Sequence, residues 1–305
     1  MTAIDSNTVV ITEVGPRDGI QNHPHAWTVA ERIALVQALL GCVVPSKPDL
    51  NVEFGAFVNP KRVPNMEHSD AVFKDIVAKH YLDSRASHIS NQLIALVPNM
   101  RGFDDAQRTG VKHIAIFASA SEAFSQANIG MSIKQAIANY TTVVAAAKGA
   151  GCRIRAYISC GWWCPYDGKV DASAVLNLTR VFTDLACDQI VLADTIGKAS
   201  PTEVAGLLKQ IISQHRSTRH IGLHFHDTDG LALQNVDVAL DAGYRYFDAA
   251  IAGLGGCPFA PGAPGNLNTF SLAAHLDKLG YATNVDLVKL DQVTRHYSSL
   301  VKQFK

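Results

Sequence analysis

Short β-rich runs alternate with longer helix-like stretches along the whole chain, and no other feature limits its possible folds so strongly. The runs are TVVITEV (Thr8–Val14), LNVEF (Leu50–Phe54), QLIALV (Gln92–Val97), KHIAIFA (Lys112–Ala118), RIRAYIS (Arg153–Ser159), QIVLAD (Gln189–Asp194), HIGLHFH (His220–His226) and YRYFDAAI (Tyr244–Ile251). Between them apolar residues recur at helical spacing, as over Val29–Leu40, Ile133–Lys148, Ala172–Ala186, Pro201–His215 and Leu231–Ala242. Eight such units predict an α/β fold, a TIM (β/α)8 barrel. An open doubly wound sheet is the alternative, but it would normally carry a glycine-rich phosphate loop after an early strand, and GPRDG after the first run is not that fingerprint. A chain of 305 residues has room for one large barrel, and no low-complexity tract or Gly/Ser linker divides it. We therefore expect a single domain over 1–305, with a C-terminal helical extension from about residue 267. GCVVPSKPDLN (Gly41–Asn51) is expected to make an irregular excursion on the barrel's N-terminal face.

In a barrel of this kind the active site is built at the C-terminal ends of the strands. Polar residues stand at nearly every such end: Arg17 and Asp18 after the first, Glu53 at the second, Asn99 after the third, Ser119–Glu122 after the fourth. Tyr157 and Cys160 follow from the fifth, Asp194 from the sixth, and His224 and His226 from the seventh. Successive side chains of a strand point to opposite faces, so His224 and His226 can reach one point. They serve either as packing residues or as ligands of a divalent cation, and the convergence of the other strand ends favours ligands, with Asp18 adding a carboxylate. Mg²⁺, Mn²⁺ and Zn²⁺ all suit imidazole and carboxylate donors. Taken singly, Asp18 reads as a helix cap, Glu53 as half of an ion pair and Asp194 as a cap.

The eighth run leads into GLGGCPFAPGAPGN (Gly253–Asn266), five glycines and three prolines in fourteen residues, suited to a shaped loop rather than a regular element. Its one nucleophile-type side chain is Cys257, either a buried inert thiol or a catalytic one; its small neighbours favour the second.

Composition excludes other classes. Lysine plus arginine (27) balance aspartate plus glutamate (27), so no basic field draws in nucleic acid or an anionic membrane. The six cysteines show no CxxC pair and no dense spacing, which points to reduced thiols. The N-terminal residues MTAIDSNTVVITEV do not read as a secretion or import signal, and a cytoplasmic protein is expected.

The motifs resemble those of the hydroxymethylglutaryl-CoA lyase family, metal-dependent TIM-barrel enzymes of the DRE-type metallolyase group. The resemblance runs nearly end to end: EVGPRDGIQN (Glu13–Asn22), FVNPKRVPNM (Phe57–Met66), ASEAFSQANIGMSI (Ala120–Ile133), YISCGWWCPYDGK (Tyr157–Lys169), ADTIGKASP (Ala193–Pro201), HFHDTDG (His224–Gly230) and AGLGGCPFAPGAPGN (Ala252–Asn266). It implies metal ligands Asp18, His224, His226 and Asn266, with Mg²⁺ or Mn²⁺ as the expected ion, and Arg17 facing a thioester carbonyl. It further implies His224 as proton acceptor, Cys257 as acid, and Glu53 and Asp194 in support. Asn128 and Tyr157 fall on positions along the substrate path. The implied reaction cleaves 3-hydroxy-3-methylglutaryl-CoA to acetyl-CoA and acetoacetate. A homodimer is expected on symmetry frequency and resemblance.

Departures from the family pattern cluster around substrate rather than metal. His23 stands where the family has glutamate, Trp163 where it has glycine, Asp229 where it has tyrosine, and Phe270 where it has an acid. Trp163 and Phe270 are accordingly expected to reshape the acyl pocket, which sets a differently substituted 3-hydroxy-3-alkylglutaryl-CoA beside the family substrate. Two rivals are a Claisen-type condensing enzyme and a catalytically silent barrel that binds metal or CoA. The silent barrel would be expected to lose Arg17, Cys257 or a ligand first, and all are present.

Overall fold

The computed structural model describes residues 7–44, 50–81, 86–215, 218, 220–255 and 265–302. Its eight long strands are parallel: β1 (Thr8–Glu13), β2 (Asn51–Ala56), β3 (Leu93–Leu96), β4 (His113–Ser119), β5 (Arg153–Ser159), β6 (Gln189–Asp194), β7 (Ile221–Phe225) and β8 (Tyr246–Ala249). Each pairs with the next, and β8 returns to β1 in a register running from Val10↔Tyr246 to Glu13↔Ala249, closing the barrel. Closure explains the near-continuous apolar runs, since a strand covered on both faces has no face to leave polar. All eight runs read from the sequence become strands.

The helices are α1 (Val29–Leu40), α2 (Ser69–Tyr81), α3 (Ala86–Gln92), α4 (Met100–Thr109), α5 (Glu122–Ile129), α6 (Ile133–Gly149), α7 (Ala172–Asp184), α8 (Pro201–His215), α9 (Ala232–Asp241), α10 (Thr269–Lys278) and α11 (Leu287–Lys302). Reciprocal capping boxes start two of them, Thr28 with Glu31 on α1 and Ser132 with Gln135 on α6, satisfying amides that the first turn leaves over. Their apolar faces, Leu35, Val36 and Leu39 on α1 or Val143, Val144 and Ala147 on α6, are buried in the core around the strands. Of the C-terminal helices, α10 packs against β1 and β8 as the eighth barrel helix, and α11 lies beyond it against α10 and α1. At the N-terminal end a two-residue strand, Ala282–Thr283, pairs with the start of β1, and Val43 bridges Val285. The rest of the excursion expected there includes residues 45–49, which lie outside the described residues.

Candidate active site

Two strands carry polar side chains up the inside of the barrel at every second residue. Arg155, Tyr157 and Ser159 alternate on β5; Gly222, His224 and His226 alternate from β7 into the residue after it. A Cβ on Gly222 would press on Gln189 Nε2 and Val191 Cγ2, each at 3.3 Å. On β2 the register shifts between Glu53 and Gly55, an irregularity of the kind that re-aims a side chain. Glu53 there is fully buried, accepting from Tyr157 OH (2.6 Å) and from Arg17 Nε (2.7 Å).

Arg17 and Asp18 sit in a single π-helical turn, Gly15–Gly19, whose three amides at Arg17, Asp18 and Gly19 all reach the Val14 carbonyl. Such turns recur at functional sites because they widen the backbone and aim neighbouring side chains together. Here Arg17 reaches Glu53 with Nη2 (2.6 Å) and Asp18 Oδ1 with Nη1 (2.6 Å). Ligand atoms of Asp18, His224 and His226 lie within 4.8 Å of one another. Asn266, bridged to His226 through the backbone, completes the group. Its Nδ2 donates to Asp18 Oδ2 (2.9 Å) and the Leu254 carbonyl (3.0 Å), which fixes the amide orientation and leaves Oδ1 buried without a partner. His226 Nδ1 is buried and unpartnered too. An orphaned amide oxygen and ring nitrogen beside a carboxylate are what a cation site needs, since a buried polar atom left unmade is costly.

Electrostatics put two of the donors, Asp18 and His226, in the states a cation needs. Burial would raise Asp18, but Arg17 and both histidines override it and hold the carboxyl down at about 2. Burial, helped by the neighbouring His224, pushes His226 down to about 4, so its ring is neutral at pH 7. His224 moves the other way: burial opposes its charge, but Asp248 and then Asp18 raise it. Burial alone would likewise lower Arg17, and the carboxylates of Glu53 and Asp18 raise it instead. Three carboxylates, Asp18, Glu53 and Asp248, face two guanidinium groups, Arg17 and Arg155, and the His224 ring.

Arg17, Asp18, His224 and His226 line a cavity of about 510 Å³, together with Asn128, Tyr157 and Ser159. Leu96, Phe117, Phe124, Ile129 and Met131, from β3, β4, α5 and neighbouring segments, add apolar lining, interspersed with the polar Asn99 and Asn128.

The same residues are read by comparison with known proteins. The HMGL-like family model matches residues 8–296. The chain belongs to that family. It is 42% identical over 285 residues to the hydroxymethylglutaryl-CoA lyase of Pseudomonas mevalonii, covering 93% of this chain and 90% of the relative. It is 40% identical over 279 residues, 92% of this chain and 88% of the relative, to a 3-hydroxy-3-isohexenylglutaryl-CoA/hydroxy-methylglutaryl-CoA lyase of Pseudomonas aeruginosa. The crystal structure of the HMG-CoA lyase from Brucella melitensis superposes with a TM-score of 0.89 at 38% identity, covering 97% of this chain and 99% of that one. These relatives are carbon–carbon lyases, and each match spans most of both chains.

Of the residues singled out in the sequence, Arg17, Asp18, Asn128, Tyr157, His224 and His226 line the cavity. Three other residues go elsewhere. The Asp194 carboxylate accepts from the Lys198 and Ala199 amides and so ties down the loop after β6; burial raises it to about 6. Trp163 is drawn away from the cavity, its Nε1 donating to Glu203 on α8 (3.3 Å), and Phe270 packs against the core in the first turn of α10. Neither lines the described cavity, nor do His23 and Asp229. Cys257 lies outside the described residues. Asp248 and Arg155 were not foreseen, although each is a charged residue inside an apolar strand run, a signal that asks for a buried partner.

Proposed function

We propose that this chain catalyses the divalent-metal-dependent cleavage of 3-hydroxy-3-methylglutaryl-CoA to acetyl-CoA and acetoacetate. The observation that carries this is the meeting of Asp18, His224 and His226 beside Arg17 at one cavity, with Asn266, its Oδ1 unpartnered, hydrogen-bonded to Asp18. Oxygen and imidazole donors without a thiolate suit Mg²⁺ or Mn²⁺.

Cleavage breaks the C2–C3 bond. The C3 hydroxyl gives up its proton and becomes the ketone of acetoacetate, while the electron pair of the broken bond passes to C2 of the thioester as an enolate. A bound divalent cation supplies positive charge that makes the hydroxyl more acidic. His224 is assigned that proton, at Nε2, because Asp248 occupies Nδ1. Asp18, His226 and Asn266 would hold the cation, and His224 would join them through the same Nε2 lone pair when it carries no proton there. Arg17 is assigned the thioester oxygen: with Nε and one hydrogen of Nη2 on Glu53 and one hydrogen of Nη1 on Asp18, each terminal nitrogen keeps an N–H for the enolate charge. Cys257 is assigned the proton delivered to C2, on the strength of its place in the glycine-rich segment.

A second reading is favoured by the apolar residues of the cavity lining, Leu96, Phe117, Phe124, Ile129 and Met131, which a longer C3 substituent would cover more fully than a methyl group. On that reading a longer C3 alkyl group is preferred, each added buried methylene contributing about 0.8 kcal/mol, or roughly fourfold in kcat/KM. The reading also has the enzyme as a cytoplasmic homodimer, supported by the unpaired thiols of Cys42, Cys152, Cys160, Cys164 and Cys187 and by the frequency of two-fold assemblies.

The test is acetyl-CoA release by metal-stripped protein before and after adding Mg²⁺ or Mn²⁺, with Cys257→Ala and His224→Ala in parallel. Metal-restored cleavage that both substitutions abolish is expected; a folded, metal-loaded protein that releases nothing would overturn the assignment. Running the same assay across C3-alkyl analogues decides the second reading, which a clear optimum at methyl would remove.

A further inference from the structure

Beneath the metal-ligand cluster lies a buried chain of charges of which the roles assigned above use only the contact between Asp248 and His224. Asp248 on β8 stands in register with His224 on β7, and both point into the barrel. Asp248 Oδ2 is 3.1 Å from His224 Nδ1, and its Oδ1 accepts from Arg155 Nη2. Both charged groups are within 1% of full burial. Tyr157 OH also approaches Oδ2 (3.1 Å), but its single proton is committed to Glu53 at 2.6 Å. Among the described residues, Asp248 is the hydrogen-bonding partner that Arg155 has, its Nε and Nη1 being unpartnered.

We propose that Asp248, clamped by Arg155, is the positioning residue that fixes His224 as its Nδ1–H tautomer and so keeps the Nε2 lone pair turned toward Asp18 and His226. A carboxylate can only accept, so the ring nitrogen facing it must carry the proton. The other nitrogen is then a lone pair by necessity, and it stands 3.9 Å from Asp18 Oδ2, on the side of the cluster. Arg155 supplies the rest of the device. Its guanidinium can only donate, so it holds one carboxylate oxygen and leaves the second for His224.

This arrangement makes Asp248→Asn informative, although it changes only one atom's identity. The new amide must turn its oxygen to the donor-only Arg155, which puts its NH₂ against His224 Nδ1 and the Tyr157 oxygen. Nδ1 must then accept, the ring proton moves to Nε2, and an N–H replaces the lone pair in the cluster. Replacing Arg155 as well by glutamine, which can accept as well as donate, frees the amide to turn back.

The proposal rests on the metal-lyase reading only for its consequence, not for the tautomer, and the two are measured separately. Nitrogen-15 NMR of histidine-labelled, metal-stripped protein in alkaline buffer reads the tautomer, with His224→Gln to assign the signals; Mn²⁺ binding followed by electron paramagnetic resonance reads the affinity. Wild-type His224 is expected to carry its proton on Nδ1. Asp248→Asn should move it to Nε2 and weaken Mn²⁺ binding on the order of 10–100-fold, the usual effect of losing a partner behind a ligand. Arg155→Gln/Asp248→Asn should recover part of both, and it removes the unpaired buried charge should the single variant fail to fold. A wild-type ring protonated on Nε2 overturns the proposal without any variant, and so does a tautomer switch that leaves Mn²⁺ affinity unchanged. Failure of the wild type to bind Mn²⁺ at all would instead count against the metal reading, leaving the tautomer result standing on its own.

Discussion

Arg17 shows how a buried side chain is held by several partners at once. It is 6% exposed and spans Glu53, which has no exposure, and Asp18. A planar fork suits that geometry and a lysine point charge does not. Arg17→Met should therefore do two things: lower kcat by about 10²–10³-fold through the lost enolate donor, and cost about 3–5 kcal/mol because Glu53 is left buried and unpaired. Turnover and denaturant midpoints measured on one preparation separate the two, and an unchanged midpoint would contradict the pairing. Glu13 carries a prediction of a different kind. Its carboxyl accepts from Thr269 Oγ1 (2.6 Å), Gly15 N (2.7 Å) and Ile251 N (2.9 Å), yet burial outweighs these and raises it from 4.5 to about 7. A folded-state value above the unfolded one means that the folded form holds the proton more tightly. The associated stability is thus complete below pH 4.5 and lost as pH rises through about 7, by about 3 kcal/mol at most. Urea denaturation across that window should show the decline, and Glu13→Gln should flatten it; parallel slopes for the two proteins would refute the assignment.

At the scale of elements, alternation within strands decided what the sequence disclosed. His224 and His226 were readable as a pair because period two puts them on one face, and the same rule places Arg155 below Tyr157 on β5. The rule was legible for the histidines because metal chemistry made them conspicuous, whereas Arg155 and Asp248 became meaningful only when β5, β7 and β8 were seen to face one interior. Asp194 and Trp163 illustrate the opposite limit. Their closeness in sequence to site residues says nothing of side-chain direction: Asp194 turns to amides of its own loop, and Trp163 turns to Glu203, to which Lys169 Nζ also pairs at 2.9 Å. The Trp163 indole joins the short hairpin of Trp163–Cys164 and Gly168–Lys169 to α8. Trp163→Gly should accordingly lower stability by about 1–3 kcal/mol, through lost packing and a lost hydrogen bond, without altering the ratio of kcat/KM between methyl and longer C3-alkyl substrates. A changed ratio at unchanged stability would return Trp163 to the acyl pocket.

The whole barrel closes along one seam, where β8 meets β1, and the candidate ligands straddle it. Asp18 follows β1, His224 lies in β7 with His226 just after it, and Asn266 follows β8, so donors from opposite ends of the chain meet at one point. Bringing such distant segments together carries a large loop-closure entropy, and a cation shared among them opposes their separation. A metal binding only the folded protein should stabilise it by about 2.7 kcal/mol at a hundred times its dissociation constant. The gain should not be uniform. Amide hydrogen exchange with and without Mn²⁺ should slow most in β1, β7 and β8, which flank the seam, and least in β3, β4 and β5 across the barrel. Asp18→Asn, with a donor atom removed and the fold's apolar core untouched, should show little Mn²⁺-dependent protection anywhere. Protection spread evenly over all eight strands would mean that the cation stabilises the barrel without acting as its clasp, and protection confined to β3–β5 would place the cation elsewhere.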